Sequence, residues 1–370
     1  MRVLMISSHH MQGRYFEDFA RGAQDSKLEL AFMWLSNDTP PDWLADSNVQ
    51  NLTRVSGKEG NVFSQILQGI IAVYKFRPDI IQSHLFRGGI VAVILGRITR
   101  TPTVLTRHHI TEHIEVGSKF HQVIDRISAI AANHVIVFSE AAKVWLIERE
   151  GISAKKITVI NQGFDFTKLD PLPSEVLAAR IDLEFTPHTF NLVCIARYSK
   201  TKGQMYLVKA IAQLIESIPN IRLVFIGPGN PEWLASIVNE LSLKEFIRLE
   251  GFRSNIPAYI AAADMVVHPS LVDAFSQLLI EAQGVGAPLI ATDIAAAREQ
   301  IEDGVTGIIV HERSSSELAS AILRLHDDRE LMNGLGVNGA KSVRERFTVS
   351  RMLKETEECF TKVLSRSIQA

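Results

Sequence analysis

The sequence predicts an α/β fold in which two doubly wound parallel-sheet domains follow one another along the chain. Short apolar runs alternate with stretches of helical period from one end to the other, which is typical of βαβ units. The alternation breaks once, over residues 170–189, and then starts again. A length of 370 residues fits two domains, and an apolar share of 46% provides for large cores and excludes a disordered chain.

In the first half, apolar runs of strand length are separated by helical segments. These segments repeat apolar side chains every three or four residues, and one ends just before Pro78, because proline cannot continue a helix. The predicted strands are 2–7, 28–35, 80–83, 103–106, 134–138 and 157–160, and the clearest helices are 62–76, 89–99 and 121–132.

The break at 170–189 reads DPLPSEVLAARIDLEFTPHT and has no clear period. We expect an N-terminal domain over 1–169, a linker over 170–189 and a C-terminal domain over 190–346. We expect a final helix over 347–370, which can cross back to the first domain. The second domain is predicted to contain strands 190–195, 222–226, 247–249, 265–268, 288–291 and 307–310, with helices 203–218, 231–241, 255–262 and 274–284.

Charge and cysteine content narrow the class of protein. The 39 basic and 41 acidic residues lack the basic excess of a nucleic-acid binder. The first residues lack the apolar region of a signal peptide, and no apolar run approaches the ~20 residues that span a bilayer. Cys194 and Cys359 lie in apolar or helical stretches and are expected to be packed thiols, so we expect a cytoplasmic protein.

Motifs that would indicate other enzymes are missing from the sequence. It has no phosphate-binding GxxxxGK[ST], no HExxH and no GxSxG. The literal GxGxxG at 334–339 follows a helical stretch, so we interpret it as a chance match in a turn between helices. No Asp-x-Asp pair is available to present a divalent metal to a diphosphate. A bound diphosphate would therefore have to be neutralised by protein cations.

Two cations, Arg197 and Lys202, follow the first predicted strand of the second half, in ARYSKTKGQ. In doubly wound sheets ligands bind beyond the carboxyl ends of the strands, and the N-terminus of a following helix adds positive potential. The pair therefore predicts a phosphate site. Two solvated surface cations would give the same local pattern, and the residues alone leave both interpretations open.

Asp273 and Glu281 bracket the segment DAFSQLLIE, after the predicted strand 265–268. The small and apolar residues after Glu281 are expected in the interior, where a carboxylate needs polar partners such as ribose hydroxyls. A helix-capping aspartate and a glutamate at a helix rim would explain the pair equally well. Glu299, after the next strand, is explained equally well by a plain helix surface.

Histidines end two predicted strands of the first half. His84 follows strand 80–83, and His108 and His109 follow strand 103–106. Strand ends are where a crevice is expected, although loop histidines are often merely polar. The 12 histidines are too dispersed along the sequence to indicate a metal site.

The order of these motifs resembles that of the retaining glycosyltransferases of family 4, the glycosyl transferases group 1, which have the GT-B fold. The second half carries IARYSKTKGQ, VFIGPG, LEGF and then HPSLVDAFSQLLIEAQGVGAP. The first half carries HVIVFSE, VINQGFD and a Thr-x-His at 106–108. The resemblance covers essentially the whole chain. It implies two Rossmann-like domains facing across a cleft, with the acceptor on the N-terminal side and the nucleotide sugar on the C-terminal side.

The resemblance implies transfer of a sugar from a nucleoside diphosphate sugar to an acceptor hydroxyl, with retention of anomeric configuration and with neither a metal nor another cofactor. Arg197 and Lys202 would hold the diphosphate, and Glu281 would bind the ribose. Asp273 would face the hydroxyls of the sugar, and His108 would lie beside the anomeric centre. The remaining expected donor contacts are the backbone amides around Phe275, Ser276 and Gln277, Gly13 against the phosphates, and the main chain near Phe252 and Arg253 at the base.

The sequence departs from the family's pattern around the expected sugar site. Asp273 stands where the family has a glutamate, and Ala274 and Ser276 replace common glycines. The first loop has only Gly13, and two alanines at 295–296 stand where a small-glycine pair is expected. An altered sugar pocket follows from these differences.

Two other functions stay open at this level. A non-catalytic nucleotide-sugar-binding protein is supported by the departures, and another GT-B enzyme such as an epimerase would need carboxylates in the first domain that no motif indicates. For the transferase, involved in glycan biosynthesis, the expected partners are the donor and a glycan, lipid-linked or small-molecule acceptor, without nucleic acid. The resemblance leaves open a peripheral contact with the inner face of the membrane.

Overall fold

The computed structural model describes residues 1–8, 14–36, 41–44, 49–52, 61–108 and 119–369. The chain forms two compact units. Met1–Asp165 together with Phe347–Ala370 make up the first unit, and Phe166–Arg346 make up the second.

In its described part, the first unit contains a sheet in which all pairs of strands are parallel. Its strands are β1 (Arg2–Ser7), β2 (Glu29–Trp34), β3 (Gln50–Asn51), β4 (Ile80–His84), β5 (Thr103–Arg107), β6 (His134–Val137) and β7 (Ile157–Val159), in the order β3-β2-β1-β4-β5-β6-β7. The helices that join them are α1 (Arg14–Gly22), α2 (Val62–Phe76), α3 (Leu85–Thr99), α4 (Lys119–Ala131) and α5 (Glu140–Glu148).

The second unit repeats this construction. Its strands are β8 (Phe190–Ile195), β9 (Ile221–Ile226), β10 (Ile247–Glu250), β11 (Met265–His268), β12 (Leu289–Thr292) and β13 (Ile308–Val310), all parallel, in the order β10-β9-β8-β11-β12-β13. Its helices are α6 (Pro173–Asp182), α7 (Gln204–Leu214), α8 (Glu232–Glu240), α9 (Ile256–Ala262), α10 (Gln277–Val285), α11 (Ala295–Gln300), α12 (Ser315–Asp327) and α13 (Arg329–Arg346).

Continuous apolar runs form the central strands because helices cover both faces of each sheet. In β1, Val3 to Ile6 are all fully buried, and Leu192 to Cys194 of β8 are equally inaccessible. The two doubly wound parallel sheets confirm the predicted fold class.

The last helix, α14 (Val349–Gln369), belongs to the first unit. It packs against α1 at a glycine: a Cβ built on Gly22 would lie 2.4 Å from Val349 Cγ1 and 2.7 Å from Leu353 Cδ1. The absence of a side chain at Gly22 therefore allows the chain end to dock on this unit.

Two local expectations differ from the structure. The expected linker 170–189 contains α6, which begins at a proline and buries Ala179 and Leu183 in the core of the second unit. The GLGVNG segment lies inside the continuous helix α13 and not in a turn. A Cβ on Gly336 would stand 2.3 Å from the Gly286 carbonyl oxygen, so this glycine serves close helix packing.

Cys194 and Cys359 are both buried free thiols, as expected. Burial raises the pKa of Cys359 to about 11. Within the described ranges, no helix is both long and apolar enough to cross a bilayer.

Candidate functional site

In each unit, the sheet changes its direction of growth between two neighbouring strands. In the second unit this point lies between β8 and β11, and in the first unit between β1 and β4. Loops that leave such a pair diverge to opposite sides and open a crevice at the carboxyl edge of the sheet. The predicted site residues follow these strands.

In the second unit, the loops after β8 and β11 are joined through their backbones. The N–H of Leu271 donates to the carbonyl of Thr201 at 2.8 Å. Gly203 adopts a left-handed conformation with φ of 63°, and a Cβ there would lie 1.8 Å from the carbonyl oxygen of Pro269. Only glycine fits this contact, which brings the residue before it, Lys202, to the β11 loop.

Lys202 and Asp273 form an ion pair at this junction. Lys202 Nζ lies 2.9 Å from Asp273 Oδ2, and their side chains are 20% and 19% exposed. Partial burial weakens the screening of both charges by water. The structure thus brings together the predicted phosphate cation and the predicted sugar carboxylate.

His268, at the end of β11, is a part of this site that sequence reasoning missed. Its Nε2 lies 3.8 Å from the same oxygen of Asp273 and 3.5 Å from Ser276 Oγ. Burial lowers the pKa of His268 to about 4 and the charge of Lys202 adds to this effect, while Asp273 opposes it. His268 is therefore neutral at pH 7, which leaves Lys202 as the cationic partner of Asp273.

Arg197 is exposed in the loop after β8, and a buried glutamine fixes the backbone beside it. Gln204, at the start of α7, accepts a hydrogen bond from the Ser199 N–H at 3.3 Å and donates to the Arg197 carbonyl at 3.2 Å. Tyr198 anchors the same loop, because its hydroxyl donates to the Glu250 carbonyl at 2.8 Å. No sequence motif indicates Gln204, because the two hydrogen bonds by which it holds this loop form only in the folded protein.

Helix α10 carries Glu281 and begins at Gln277, later than the expected start at Ala274. Asp273 therefore lies in the loop and does not cap the helix. Glu281 is half-buried, one helical turn beyond Gln277 on the same face. The backbone N–H of Ser276, an expected donor contact, donates to Gln300 Oε1 at 3.3 Å, so in this structure it already has a protein partner.

At the site expected for the nucleotide base, the side chain of Phe252 is 64% exposed. The guanidinium of Arg253 pairs with Asp182 at 3.0 Å and with Glu250 at 2.9 Å. The hydrogen bond from Arg253 lowers the pKa of Asp182. Arg253 thus fastens α6 to the end of β10, and the main chain next to Phe252 stays at the surface of the unit.

In the first unit, two histidines meet at the carboxyl ends of β4 and β5. His84 Nδ1 lies 2.9 Å from His108 Nε2, and the rings of Tyr15, Phe16 and Phe138 surround them with centroids 4.8–5.4 Å from one or both histidines. Burial lowers the pKa of His84 to about 3, so His84 is neutral. The expected phosphate contact Gly13, and His109, lie outside the described residues.

Both halves of the chain resemble known protein families. The family model described as Glycosyltransferase Family 4 matches residues 12–168, and the model described as Glycosyl transferases group 1 matches residues 189–328. The chain belongs to glycosyltransferase family 4. The family predicted from the motifs is thereby confirmed, with both halves of the chain covered.

Curated relatives of this family 4 glycosyltransferase are themselves named as glycosyltransferases. The D-inositol 3-phosphate glycosyltransferase of Pseudarthrobacter chlorophenolicus is 30% identical over 274 residues, which are 68% of this chain and 63% of that protein. The chain thus spans less than two thirds of that relative. The UDP-Gal:alpha-D-GlcNAc-diphosphoundecaprenol alpha-1,3-galactosyltransferase of Escherichia coli is 22% identical over 80% of this chain and 79% of its own length.

Solved structures show the GT-B fold for this family 4 glycosyltransferase. HepE of Anabaena, in complex with UDP-glucose, matches with a TM-score of 0.83 and 23% identity, over 98% of this chain and 100% of that one. Sucrose-phosphate synthase from Thermosynechococcus elongatus matches with a TM-score of 0.79 and 19% identity, over 99% and 100% of the two chains.

Proposed function

We propose that this protein transfers a sugar from a nucleoside diphosphate sugar to an acceptor hydroxyl, with retention of configuration and without a metal ion. The observation that carries the proposal is the half-buried pair of Lys202 and Asp273 at the point where the second sheet changes direction. A cation and a carboxylate at this edge suit the two parts of such a donor, an anionic diphosphate and a hydroxyl-rich sugar. HepE of Anabaena was solved in complex with UDP-glucose, which supports a donor of this class.

Lys202 and Arg197 would act on the leaving diphosphate. The reaction passes through a state with positive charge on the sugar and growing negative charge on the departing phosphate. Fixed cations at that phosphate stabilise the transition state more than the ground state, which is the condition for catalysis. Since they supply positive charge themselves, no metal is needed in this role. Among the described residues, no three His, Cys, Asp or Glu side chains are grouped as metal ligands.

Asp273 would accept hydrogen bonds from the hydroxyls of the sugar. Before the donor binds, Lys202 compensates its charge. When the diphosphate binds, it would pair with Lys202 in place of Asp273. The sugar hydroxyls of the same donor would then replace Lys202 as the hydrogen-bonding partners of Asp273. Glu281, on α10, would accept from the ribose hydroxyls, and the exposed main chain at Phe252 would meet the base.

His108 would contribute a directed N–H from the first unit. His84 Nε2 is buried without a hydrogen-bond partner among the described residues, and an unprotonated nitrogen tolerates this better than an N–H. We therefore assign the proton of His84 to Nδ1, which donates to His108 Nε2. The proton of His108 is then on Nδ1.

The acceptor is proposed to be a glycan, a lipid-linked saccharide or a small hydroxyl compound. The relatives' names include an inositol phosphate enzyme and a diphosphoundecaprenol enzyme, which span this range. The two buried free thiols are in the state expected of a reducing compartment, and this supports a cytoplasmic location.

The proposal is tested with a panel of nucleoside diphosphate sugars incubated with and without candidate acceptors, with products identified by mass spectrometry. We expect release of nucleoside diphosphate from one donor, slowly by hydrolysis and faster with the correct acceptor. NMR of the product would give its anomeric configuration. Tight binding of a nucleotide sugar without turnover under any of these conditions would instead indicate a non-catalytic binding protein, and an inverted product would exclude retention.

A further inference from the structure

His268 is a buried histidine beside the charged pair of the second unit, and the proposed sugar transfer has given it no task. It is the last residue of β11, and its side chain is only 3% exposed. Its Nδ1 is buried without a hydrogen-bond partner among the described residues. Its Nε2 lies 3.8 Å from Asp273 Oδ2 and 3.5 Å from Ser276 Oγ. A buried polar group that is so poorly satisfied calls for an explanation, and function is one.

The position of the proton on His268 follows from this asymmetry. A buried ring nitrogen without a partner is tolerated better as an unprotonated nitrogen than as an N–H, so we assign the proton to Nε2. The ring is neutral, because burial and the charge of Lys202 lower its pKa to about 4. His268 therefore directs an uncharged N–H towards Ser276 and Asp273. At 3.5 Å the bond to Ser276 is weak, which leaves this donor available for a better acceptor.

The two carboxylate oxygens of Asp273 have different surroundings. Oδ2 accepts from Lys202 Nζ at 2.9 Å and also faces His268, whereas Oδ1 has no hydrogen-bond partner among the described residues. Oδ1 is thus available to the hydroxyls of a sugar. Oδ2 would lose its donor when a diphosphate pairs with Lys202, and a partly buried carboxylate oxygen without a donor is costly. A shift of Oδ2 by about 1 Å would bring it within hydrogen-bond distance of His268 Nε2.

We infer that His268 is a positioning residue, which binds Asp273 when a diphosphate draws Lys202 away. Its Nε2–H then donates to Oδ2 and keeps Oδ1 directed towards the sugar. This inference rests on the proposed function and deepens it. Lys202 compensates the charge of Asp273 before the donor binds, but a neutral histidine holds the carboxylate without cancelling its charge. The uncompensated carboxylate would then stabilise the positive charge that develops on the sugar in the transition state.

The first test is calorimetric titration with UDP, GDP and ADP. In His268→Leu no side chain replaces Lys202 as the partner of Asp273, so affinity for the diphosphate that the wild type binds should fall about 10-fold to 100-fold. His268→Gln puts an amide N–H near the place of Nε2 and should stay within about threefold of the wild type. His268→Asn puts its amide near the place of Nδ1 and should resemble His268→Leu. A merely structural role would give no such difference between the two amides.

Turnover provides a second test of the route through Asp273. With saturating donor, His268→Leu should lower kcat about tenfold or more, because the carboxylate is no longer held. The double variant of His268→Leu with Asp273→Asn should lose no more than Asp273→Asn alone, since His268 acts through that carboxylate. Losses that add in full would show that His268 acts elsewhere and would overturn the inference.

His134 in the first unit offers a matched control. It is also a buried histidine whose Nδ1 has no hydrogen-bond partner among the described residues, and its Nε2 lies 2.8 Å from Thr158 Oγ1. It begins β6, at the amino edge of its sheet, and not at the carboxyl edge where the candidate site lies. His134→Leu should therefore leave the affinity for the diphosphate unchanged. An equal loss in both leucine variants would reduce the effect to general destabilisation.

Imidazole ¹⁵N NMR reads the exchange of partners directly. We expect the Nε2–H tautomer for His268, a downfield shift of this proton when the diphosphate binds, and no response from exposed His188. Lys202→Ala should show the shift without any nucleotide, because Asp273 is then free to pair with His268, and adding Asp273→Asn should abolish it.

The outcomes separate this inference from the proposed function. An Nδ1–H tautomer, or wild-type affinity in a folded His268→Leu, would overturn the inference and leave the proposed function intact. A wild type that binds none of the three diphosphates would overturn both.

Discussion

Replacement of Lys202 by alanine tests whether this cation stabilises the leaving diphosphate. Lys202 lies where the strand order of the second sheet reverses, between β8 and β11. Lys202 Nζ is 2.9 Å from Asp273 and 20% exposed, so an effective dielectric constant of ~20 applies, and a full unit charge ~4 Å away is worth about 4 kcal/mol. The departing phosphate gains part of such a charge in the transition state. The expected loss is thus about 3–4 kcal/mol, or about 10²–10³ in kcat.

The assay is steady-state kinetics with the donor varied, together with urea unfolding. We expect the fall in kcat to exceed the rise in KM for the donor, and stability to decline by only about 1–2 kcal/mol from the lost ion pair. Lys200→Ala is the matched control, because Lys200 is exposed in the same turn and its removal changes the net charge equally. Lys202→Arg should not restore full activity, since a planar fork replaces a compact charge.

Arg197→Ala should resemble Lys202→Ala. The double variant should lose less than the sum of the single losses, because both cations serve one anion. A normal kcat with only a raised KM in Lys202→Ala would refute the reasoning and reduce Lys202 to a binding residue. An equal loss in Lys200→Ala would show that the effect comes from general charge and not from this position.

Three further results are expected. Glu281→Ala should weaken nucleoside diphosphate binding, measured by calorimetry, by about 1–3 kcal/mol, and unchanged affinity in a folded variant would remove Glu281 from the ribose site. Turnover should survive EDTA, because protein cations neutralise the diphosphate; loss that Mg²⁺ or Mn²⁺ restores would count against the assigned phosphate site. The pKa of His268 is about 4 in the folded protein against 6.5 unfolded, so the unfolded chain takes up the proton first and stability falls as pH drops below 6.5. This histidine should account for a loss of about 2 kcal/mol in the free energy of unfolding from pH 7 to pH 5. His268→Asn should remove this share of the loss, and exposed His188→Asn should not; equal losses in all three proteins would contradict the assignment.

Much of the fold could be predicted because central strands of parallel sheets are continuous apolar runs. Strand β1 was placed at its observed bounds from this signal, and β8 was as well. The two-residue edge strand β3 was missed, since so short a strand carries no pattern. Helix α6 was mistaken for a linker because the prolines that flank and begin it look like loop composition, although one of them starts the helix.

The candidate site was predictable only in part. Charged residues after strands could be identified as candidates, and Lys202 and Asp273 do meet. The meeting itself depends on the tight approach of Gly203 to Pro269, a tertiary contact without a sequence pattern. His268 and Gln204 were missed for the same reason, since a buried polar side chain is identified by its partners and not by its neighbours in sequence.

The arrangement of β8 beside β11 has a consequence for folding during synthesis on the ribosome. Lys202 and Asp273 are 71 residues apart, and the chain builds β9 and β10 outward before it returns to the other side of β8. At a synthesis rate of about 5–20 residues per second, Lys202 precedes its partner by roughly 4–14 s. Throughout that interval one edge of β8, a strand whose residues 190–194 are buried in the folded protein, has no neighbour. The segment that completes the site is also the one that closes this exposed edge, so the growing chain is most vulnerable to wrong association just before its chemistry is assembled.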